Sequence, residues 1–228
     1  MNRYEEIATN LGLVQERISN SAQLVGRQPE EITLIAVTKN FPVSDAQILY
    51  DLGVRNMGEN RDQEGSLKSE QLPLDIRWHF QGQIQGRKIK SVGSWAQVVH
   101  SLDSLEHARK FDELEESRVE DFFIQINLEP GRLDRGGISV SQLPDFLTEL
   151  RLTTELSLSG LMMVAPITAP AELSFNELRS AREVLVQSYP AATALSMGMS
   201  GDFEAAIVAG ATHVRIGSSI LGSRGLLA

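Results

Sequence analysis

Residues 34–42 read LIAVTKNFP, an apolar run that ends on Lys39 and breaks at Pro42. Lysine is among the residues least often buried, so a lysine in this position asks for a chemical use. Desolvation and a nearby like charge both disfavour the ammonium form. A neutral amine is the nucleophile that condenses with a carbonyl. The same side chain could instead extend its stem to solvent or pair with Glu59, and spacing alone leaves these readings open. Two other segments suit an anion. In GMSGDFEAAIVAG (198–210), Ser200 and Gly201 stand where a helix begins, with Asp202 as a candidate cap. In RIGSSILG (215–222), Gly217, Ser218 and Ser219 open a short terminal helix. Glycine lets backbone N–H groups approach an anion, serine adds a hydroxyl donor, and the helix dipole favours negative charge. Each segment alone also reads as an ordinary capped turn.

The elements that would position these groups follow from periodicity. Short β-type runs fall at about 32–38, 54–57, 76–80, 97–101, 121–127, 156–164, 193–197 and 213–216. Several are continuously apolar, as in a parallel sheet covered by helices. Helical patterns lie between them at 44–53 with a Ser44 cap signal, at 101–117, at 139–151 and at 171–189. Eight strands alternating with helices predict a (β/α)8 TIM barrel, with a doubly wound open sheet as the alternative. About a dozen residues follow the eighth strand, too few for a covering helix. An amphipathic extra N-terminal helix at about 3–25 is expected to help cover the barrel there. No linker or repeat divides the chain, so residues 1–228 read as one domain.

In such a barrel the site lies at the C-terminal ends of the strands, and phosphate commonly binds after strands 7 and 8. That rule selects Lys39, the GEN at 58–60, His79, Asn127, Met163, the segment 196–202, and Arg215 with the IGSS after it. Strands 1 and 8 are neighbours in a closed barrel, which puts Lys39 and Arg215 at one mouth beside both serine-glycine loops. Trp78, on the third strand, reads as core.

Bulk properties narrow the function. With 228 residues and 42% hydrophobic content the chain can bury a substantial core. A net charge of −9 argues against a general nucleic-acid binder. The absence of cysteine excludes disulfides and thiolate metal sites, in keeping with a reducing compartment. The acidic N-terminus has no signal-like core, and no run approaches the roughly 18 apolar residues of a membrane span. A cytoplasmic protein with no membrane contact is expected. Charge runs such as FDELEESRVED read as solvated helix faces.

LIAVTKNFP, MGENRDQE, WHFQGQIQGRK, GLMMVAP and LSMGMSGDFEAAIVAGATHVRIGSSILGSR, in that order, resemble the pyridoxal phosphate homeostasis protein family. The resemblance runs from about residue 30 to 224. It implies a single-domain barrel of the alanine racemase N-terminal type that binds pyridoxal 5′-phosphate (PLP). By motif match, Lys39 would form the aldimine and Asn60 would lie near the cofactor. Ser200, Gly217 and Ser218 would hold the phosphate, with backbone groups from Ser196 to Met199. Arg215 would face the pyridine nitrogen, and Met163 would line the pocket. Departures from the usual pattern fall at Thr38, Asn40, Phe41, Arg61, Arg87 and Arg135, and they bear on the pocket rim.

PLP is an electron sink when its ring nitrogen is protonated, usually by an acidic partner. An arginine there weakens the sink and argues against transamination. The racemase relatives also carry an arginine, but they draw a base from a second domain across a dimer interface. This sequence ends shortly after LGSR, so that domain is not expected and a monomer is. The resemblance thus implies a protein of PLP (vitamin B6) homeostasis that holds the cofactor without turnover, with transient contacts to PLP-dependent enzymes. One alternative is a weak amino-acid racemase using His79 or a water as base. Another is a class I aldolase using the same lysine on a sugar phosphate.

Overall fold

The computed structural model describes residues 2–129, 131, 135–166 and 168–222. Eight parallel strands close into a barrel in chain order: β1 Thr33–Val37, β2 Asn56–Glu59, β3 Arg77–Phe80, β4 Val98–Leu102, β5 Asp121–Gln125, β6 Leu158–Met162, β7 Ala194–Ser196 and β8 His213–Ile216. Closure is made by β1 on β8, where Ile35 pairs with Arg215 and Ala36 with Ile216. All eight expected strands are present, with ends shifted by a residue or two. The helices are α1 Arg3–Leu24, α2 Val43–Asp51, α3 Asp62–Gln71, α4 Ile89–Trp95, α5 Leu105–Asp112, α6 Leu143–Thr153, α7 Ala171–Ser188, α8 Phe203–Val208 and α9 Ser218–Leu221.

The main core lies between strands and helices. α1 shows how the pattern builds it. Ile7, Leu11, Val14, Ile18 and Ala22 recur at helical spacing and are buried, while Asn2 and Glu5 form a reciprocal capping box. α1 packs on α8 and α9. At four residues α9 cannot cover its strand, and α1 supplies the missing surface, as its position in the chain led us to expect. Arg3 ties α1 to α2 and α9, donating to Asp45 on α2 and to the Leu221 carbonyl at 2.9 Å.

Three readings are corrected. Ser44 is not the cap of α2: Pro42 takes that position, its φ near −69° suiting the helix entry, and Ser44 lies inside the helix. The 101–117 helix is only α5, capped by Ser104 accepting from the His107 N–H at 3.4 Å. Its acidic tail beyond Phe111 is mostly solvent-exposed. α3 and α4 were not anticipated. α3, DQEGSLKSEQ, has almost no apolar stripe, because its buried positions are Asp62, Gly65 and Lys68.

Gly65 explains how so polar a helix packs. A Cβ there would sit 2.3 Å from the Trp95 ring, so only glycine lets α3 lie against α4. Asp62 accepts from Ser91 Oγ at 2.6 Å and Trp95 Nε1 at 3.2 Å, and pairs with Lys88 at 3.0 Å. Trp78 is core as expected, edge-on to Trp95 with centroids 6.4 Å apart.

Inside the barrel Val98, Phe123 and Met162 form a small separate cluster. Beside it runs a line of polar groups unlike the branched aliphatic layers common in such barrels. Arg215 Nη1 donates to Ser196 Oγ at 2.8 Å, and Ser196 Oγ meets His100 Nδ1 at 2.9 Å. His100 Nε2 lies 2.9 Å from His79 Nδ1, and His79 Nε2 lies 3.0 Å from Asn56 Oδ1. The carbonyl oxygen of Asn56 only accepts, so the direction of each bond follows. His79 donates to Asn56, His100 to His79, and Ser196 to His100. That direction belongs to neutral imidazoles, the form that burial favours for both, each with its proton on Nε2.

Candidate functional site

At the C-terminal mouth of the barrel lies a cavity of about 450 Å³, within the range of small-molecule sites. Lys39, Asn60, Met199, Ser200, Arg215, Gly217 and Ser218 all line it, joined by Phe41, Gln81, Met162 and Val164. Residues from six of the eight strand ends or the loops after them thus converge on one space. Lys39 is half-buried and stands two residues beyond the end of β1.

Met163, Ser196, His79 and Asn127, all selected from the sequence, take other places, Asn127 at a smaller neighbouring pocket. Met163 does not line the cavity, because strand alternation turns its side chain outward into the helix-facing core. Its neighbours Met162 and Val164 line the cavity instead, and the Met163 carbonyl accepts from Arg215 Nη2 at 2.7 Å. Ser196 sits behind Arg215, fully buried, with its hydroxyl spent between Arg215 and His100. His79 is not at the cavity either. It is buried in the barrel interior, both ring nitrogens engaged.

The floor of the site is electrostatically unusual. Arg215 is buried and, among the described residues, donates to the Ser196 hydroxyl and the Met163 carbonyl and pairs with no carboxylate. Desolvation lowers its pKa to about 10, with Asp202 opposing the shift, so it stays a cation at neutral pH. It therefore presents positive charge to the cavity, offset only by the coulombic pull of Asp202. Burial also keeps His79 and His100 far below the usual imidazole range, reinforced by the neighbouring cations and histidines.

The two serine-glycine loops are joined to each other. Ser219 N–H donates to Ser200 Oγ at 3.3 Å, and Ser219 Oγ donates to the Ser200 carbonyl at 3.4 Å. Asp202 is at the N-cap of α8, but its carboxylate turns back to accept from Met199 N–H at 2.6 Å. The turn is thereby fixed in place. Gly217 lies so close to β1 that a Cβ would meet the Val37 carbonyl at 3.1 Å.

Opposite these loops, Asn60 Oδ1 and Gln81 Nε2 are buried atoms with no hydrogen-bond partner among the described residues. Both residues line the cavity. An orphaned acceptor and an orphaned donor cost free energy unless something polar meets them. The donor set as a whole comprises a lysine, a bare guanidinium, a hydroxyl-rich double loop and two unsatisfied amides. It fits a compact anion bearing polar ring substituents and a carbonyl.

Lys39 is the second residue of a tight turn. Phe41 N–H donates to the Thr38 carbonyl at 3.1 Å, and Asn40 has φ 63°. Those signs are those of a type II turn, which asparagine tolerates better than most residues. Phe41, the apolar member of the departing pair, forms part of the cavity wall. Beneath the turn, Glu59 Oε1 accepts from Lys68 Nζ at 2.6 Å and from Thr38 Oγ1 at 2.5 Å. Burial pushes the Glu59 carboxyl up, and Lys68 pulls it back. The other departures sit at the rim or outside. Arg61 is mostly exposed and pairs with Glu64 at 3.1 Å. Arg135 pairs with Glu129 at 3.3 Å and borders a smaller neighbouring pocket. Residues 130 and 132–134 of that loop, and Ser223 and Arg224 of the final motif, lie outside the described residues.

Sequence reasoning missed Gln81, Glu64, Lys68 and the His79–His100 pair as parts of one arrangement. Nothing in the α3 sequence distinguishes its inward lysine from an outward one except that an apolar stripe is missing.

Comparison with known proteins gives a consistent set. The family described as alanine racemase, N-terminal domain, matches residues 10–225. The pyridoxal phosphate homeostasis protein of Mycobacterium leprae is 35% identical, over 97% of this chain and 94% of its own. That of Corynebacterium glutamicum is 37% identical, over 93% of this chain and 100% of its own. Among solved structures, PipY of Synechococcus elongatus with PLP bound is similar with a TM-score of 0.75 at 30% identity, over 90% of this chain and 100% of that one. Alanine racemase of Corynebacterium glutamicum shares the fold, with a TM-score of 0.72 at 14% identity. It matches 98% of this chain, which spans 62% of the racemase.

Proposed function

Because the chain belongs to the pyridoxal phosphate homeostasis protein family, within the alanine racemase N-terminal domain group, we propose that its cavity binds PLP, held through Lys39 and kept without turnover. The observation that carries this reading is the convergence of Lys39, Asn60, Ser200, Arg215, Gly217 and Ser218 on one cavity of about 450 Å³. PLP, when bound, supplies an aldehyde and an electron-withdrawing ring. Lys39 Nζ would add to that aldehyde, forming a C=N bond and releasing one water. Ser200, Gly217 and Ser218 would hold the phosphate, their loops already tied by Ser219. Asn60 and Gln81 carry the two orphaned polar atoms that the cofactor's ring substituents would satisfy.

Arg215 bears on turnover. A guanidinium with pKa about 10 does not give up its proton to a pyridine nitrogen near neutral pH. A ring facing it would stay unprotonated and withdraw electrons weakly. The base considered for a racemase, His79, is sequestered between His100 and Asn56. The chain's own residues therefore favour holding the cofactor over reacting it. We further propose that it hands PLP to dependent enzymes by transient contact.

Purified protein mixed with PLP is expected to develop a visible absorption band that survives gel filtration. Lys39→Ala is expected to lose the band and the retention. A wild-type protein that stays colourless would overturn the reading. Holding without turnover is tested by deuterium exchange at Cα of alanine in heavy water. Exchange no faster than with free PLP is expected, and faster exchange would favour the racemase.

A further inference from the structure

The turn that carries Lys39 is clamped from outside the cavity by a helix that never touches it. Within α3, Glu64 Oε2 accepts from Asn40 N–H at 2.8 Å, on one side of Lys39. Lys68 Nζ, one helical turn further on, donates to the Thr38 carbonyl at 2.8 Å, on the other side. The Thr38 carbonyl thus takes two donors, Lys68 and Phe41 N–H. Thr38 N–H is spent on the Gly58 carbonyl at 3.0 Å. Positions 64 and 68 are four apart and so share a helix face. Their common face is turned to residues 38–40.

α3 is itself held against α4 and the residues before it. Asp62 is bound by Ser91, Trp95 and Lys88, and Gly65 lies flat on Trp95. A rigid strut therefore runs from α4 through α3 to the lysine turn. This accounts for the polarity of α3: Asp62 and Lys68 are buried and Glu64 half-buried, where a barrel helix would normally spend leucines. Asn40, in the left-handed region, needs such support, since strained backbone persists only where its surroundings over-determine it.

We propose that Glu64 and Lys68 are positioning residues that hold the Lys39 amine in the geometry for capturing the PLP aldehyde. This rests on the reading of the cavity as a PLP site. Lining residues set the affinity for the phosphate and ring, whereas the strut acts only on the bond to Lys39 Nζ. Capture joins Nζ to the aldehyde carbon and releases water, so a misplaced amine weakens that bond and leaves the rest of the site intact.

The test compares PLP with pyridoxine 5′-phosphate, which carries the same phosphate and ring but no aldehyde. In Glu64→Ala, the affinity for PLP and its rate of covalent capture are expected to fall about tenfold, the scale of one charge-assisted hydrogen bond. The affinity for pyridoxine 5′-phosphate is expected to stay at the wild-type value. Glu64→Gln keeps an acceptor for the Asn40 N–H and should restore most PLP affinity. Glu64 is half-buried at the surface, so the variant is expected to fold; circular dichroism checks this. If both ligands weaken together, α3 supports the pocket as a whole and the proposal falls. It falls equally if neither changes. A wild-type protein that binds the aldehyde-free ligand but never captures PLP would instead overturn the parent reading.

Discussion

Lys68→Met is expected to lower stability by about 3–5 kcal/mol, the range for breaking a buried ion pair from one side. In a chain of this size that corresponds to a fall in Tm of roughly 6–20 °C. Glu59 is fully buried, and its second oxygen already lacks a partner among the described residues. Removing the ammonium 2.6 Å from Oε1 leaves a carboxylate whose remaining contact there is Thr38 Oγ1. It also strips one donor from the Thr38 carbonyl. Such a carboxylate relieves the penalty by taking up a proton. Its folded pKa, already raised, should rise further, so the folded state binds a proton that the unfolded chain releases. The deficit of the variant is then largest above the folded pKa and shrinks as pH falls toward the unfolded value. Adding Glu59→Gln removes the orphaned charge and should recover much of the loss. Thermal unfolding of the single and double variants from pH 5 to 8 checks this. A single variant as stable as wild type across that range would mean that the pair carries no net weight.

Acidification of the wild-type protein should have an effect of similar size. His79 and His100 are held neutral far below the usual imidazole range, and His213 is lowered to about 4. For each, the unfolded chain binds a proton below pH of about 6.5 that the folded chain refuses. Stability therefore rises with pH through this window and is lost as pH falls through it. Each fully buried histidine contributes up to about 1.4 kcal/mol per pH unit. From pH 7 to pH 5, His79 and His100 together remove about 4 kcal/mol by that slope, and His213, partly exposed, adds less. Against a typical total of about 5–15 kcal/mol, the fold should be near its limit at pH 5. The geometry agrees with the direction: a proton on His79 Nδ1 would face the Nε2–H of His100 across 2.9 Å. Urea unfolding at pH 7 and pH 5 measures the difference, and equal stability at the two values would contradict the neutral, directed chain.

The outline of the barrel was legible because parallel strands are covered on the outside by apolar residues that recur with helical segments between them. β1, β5 and β6 announce themselves in this way, whereas β4 is fainter, its apolar run broken by His100. β2, β3 and β8 are four residues each, and their inward positions go to Asn56, His79 and Arg215 rather than to aliphatic side chains. The polarity that makes the interior unusual is what made these strands faint. α3 was invisible for a related reason, since its inward residues are charged or glycine. Of the site, the groups on strand ends after β1, β7 and β8 could be chosen by rule, and Lys39, Ser200, Arg215, Gly217 and Ser218 do meet at one cavity. Met163 failed by one position of strand alternation. No periodicity could reveal that Ser196 lies behind Arg215, or that Glu64 and Lys68 reach residues 38–40, because those contacts join residues 19 to 30 positions apart.

The central claim is that Lys39 is the residue that captures PLP, and reduction tests it most directly. The PLP-loaded protein is treated with borohydride, digested and mapped by mass spectrometry. A single reduced pyridoxyl-phosphate adduct on Lys39 is the expected result, with Lys68 and Lys88 unmodified. An adduct at another lysine, or none on a protein that has bound PLP, would contradict the account.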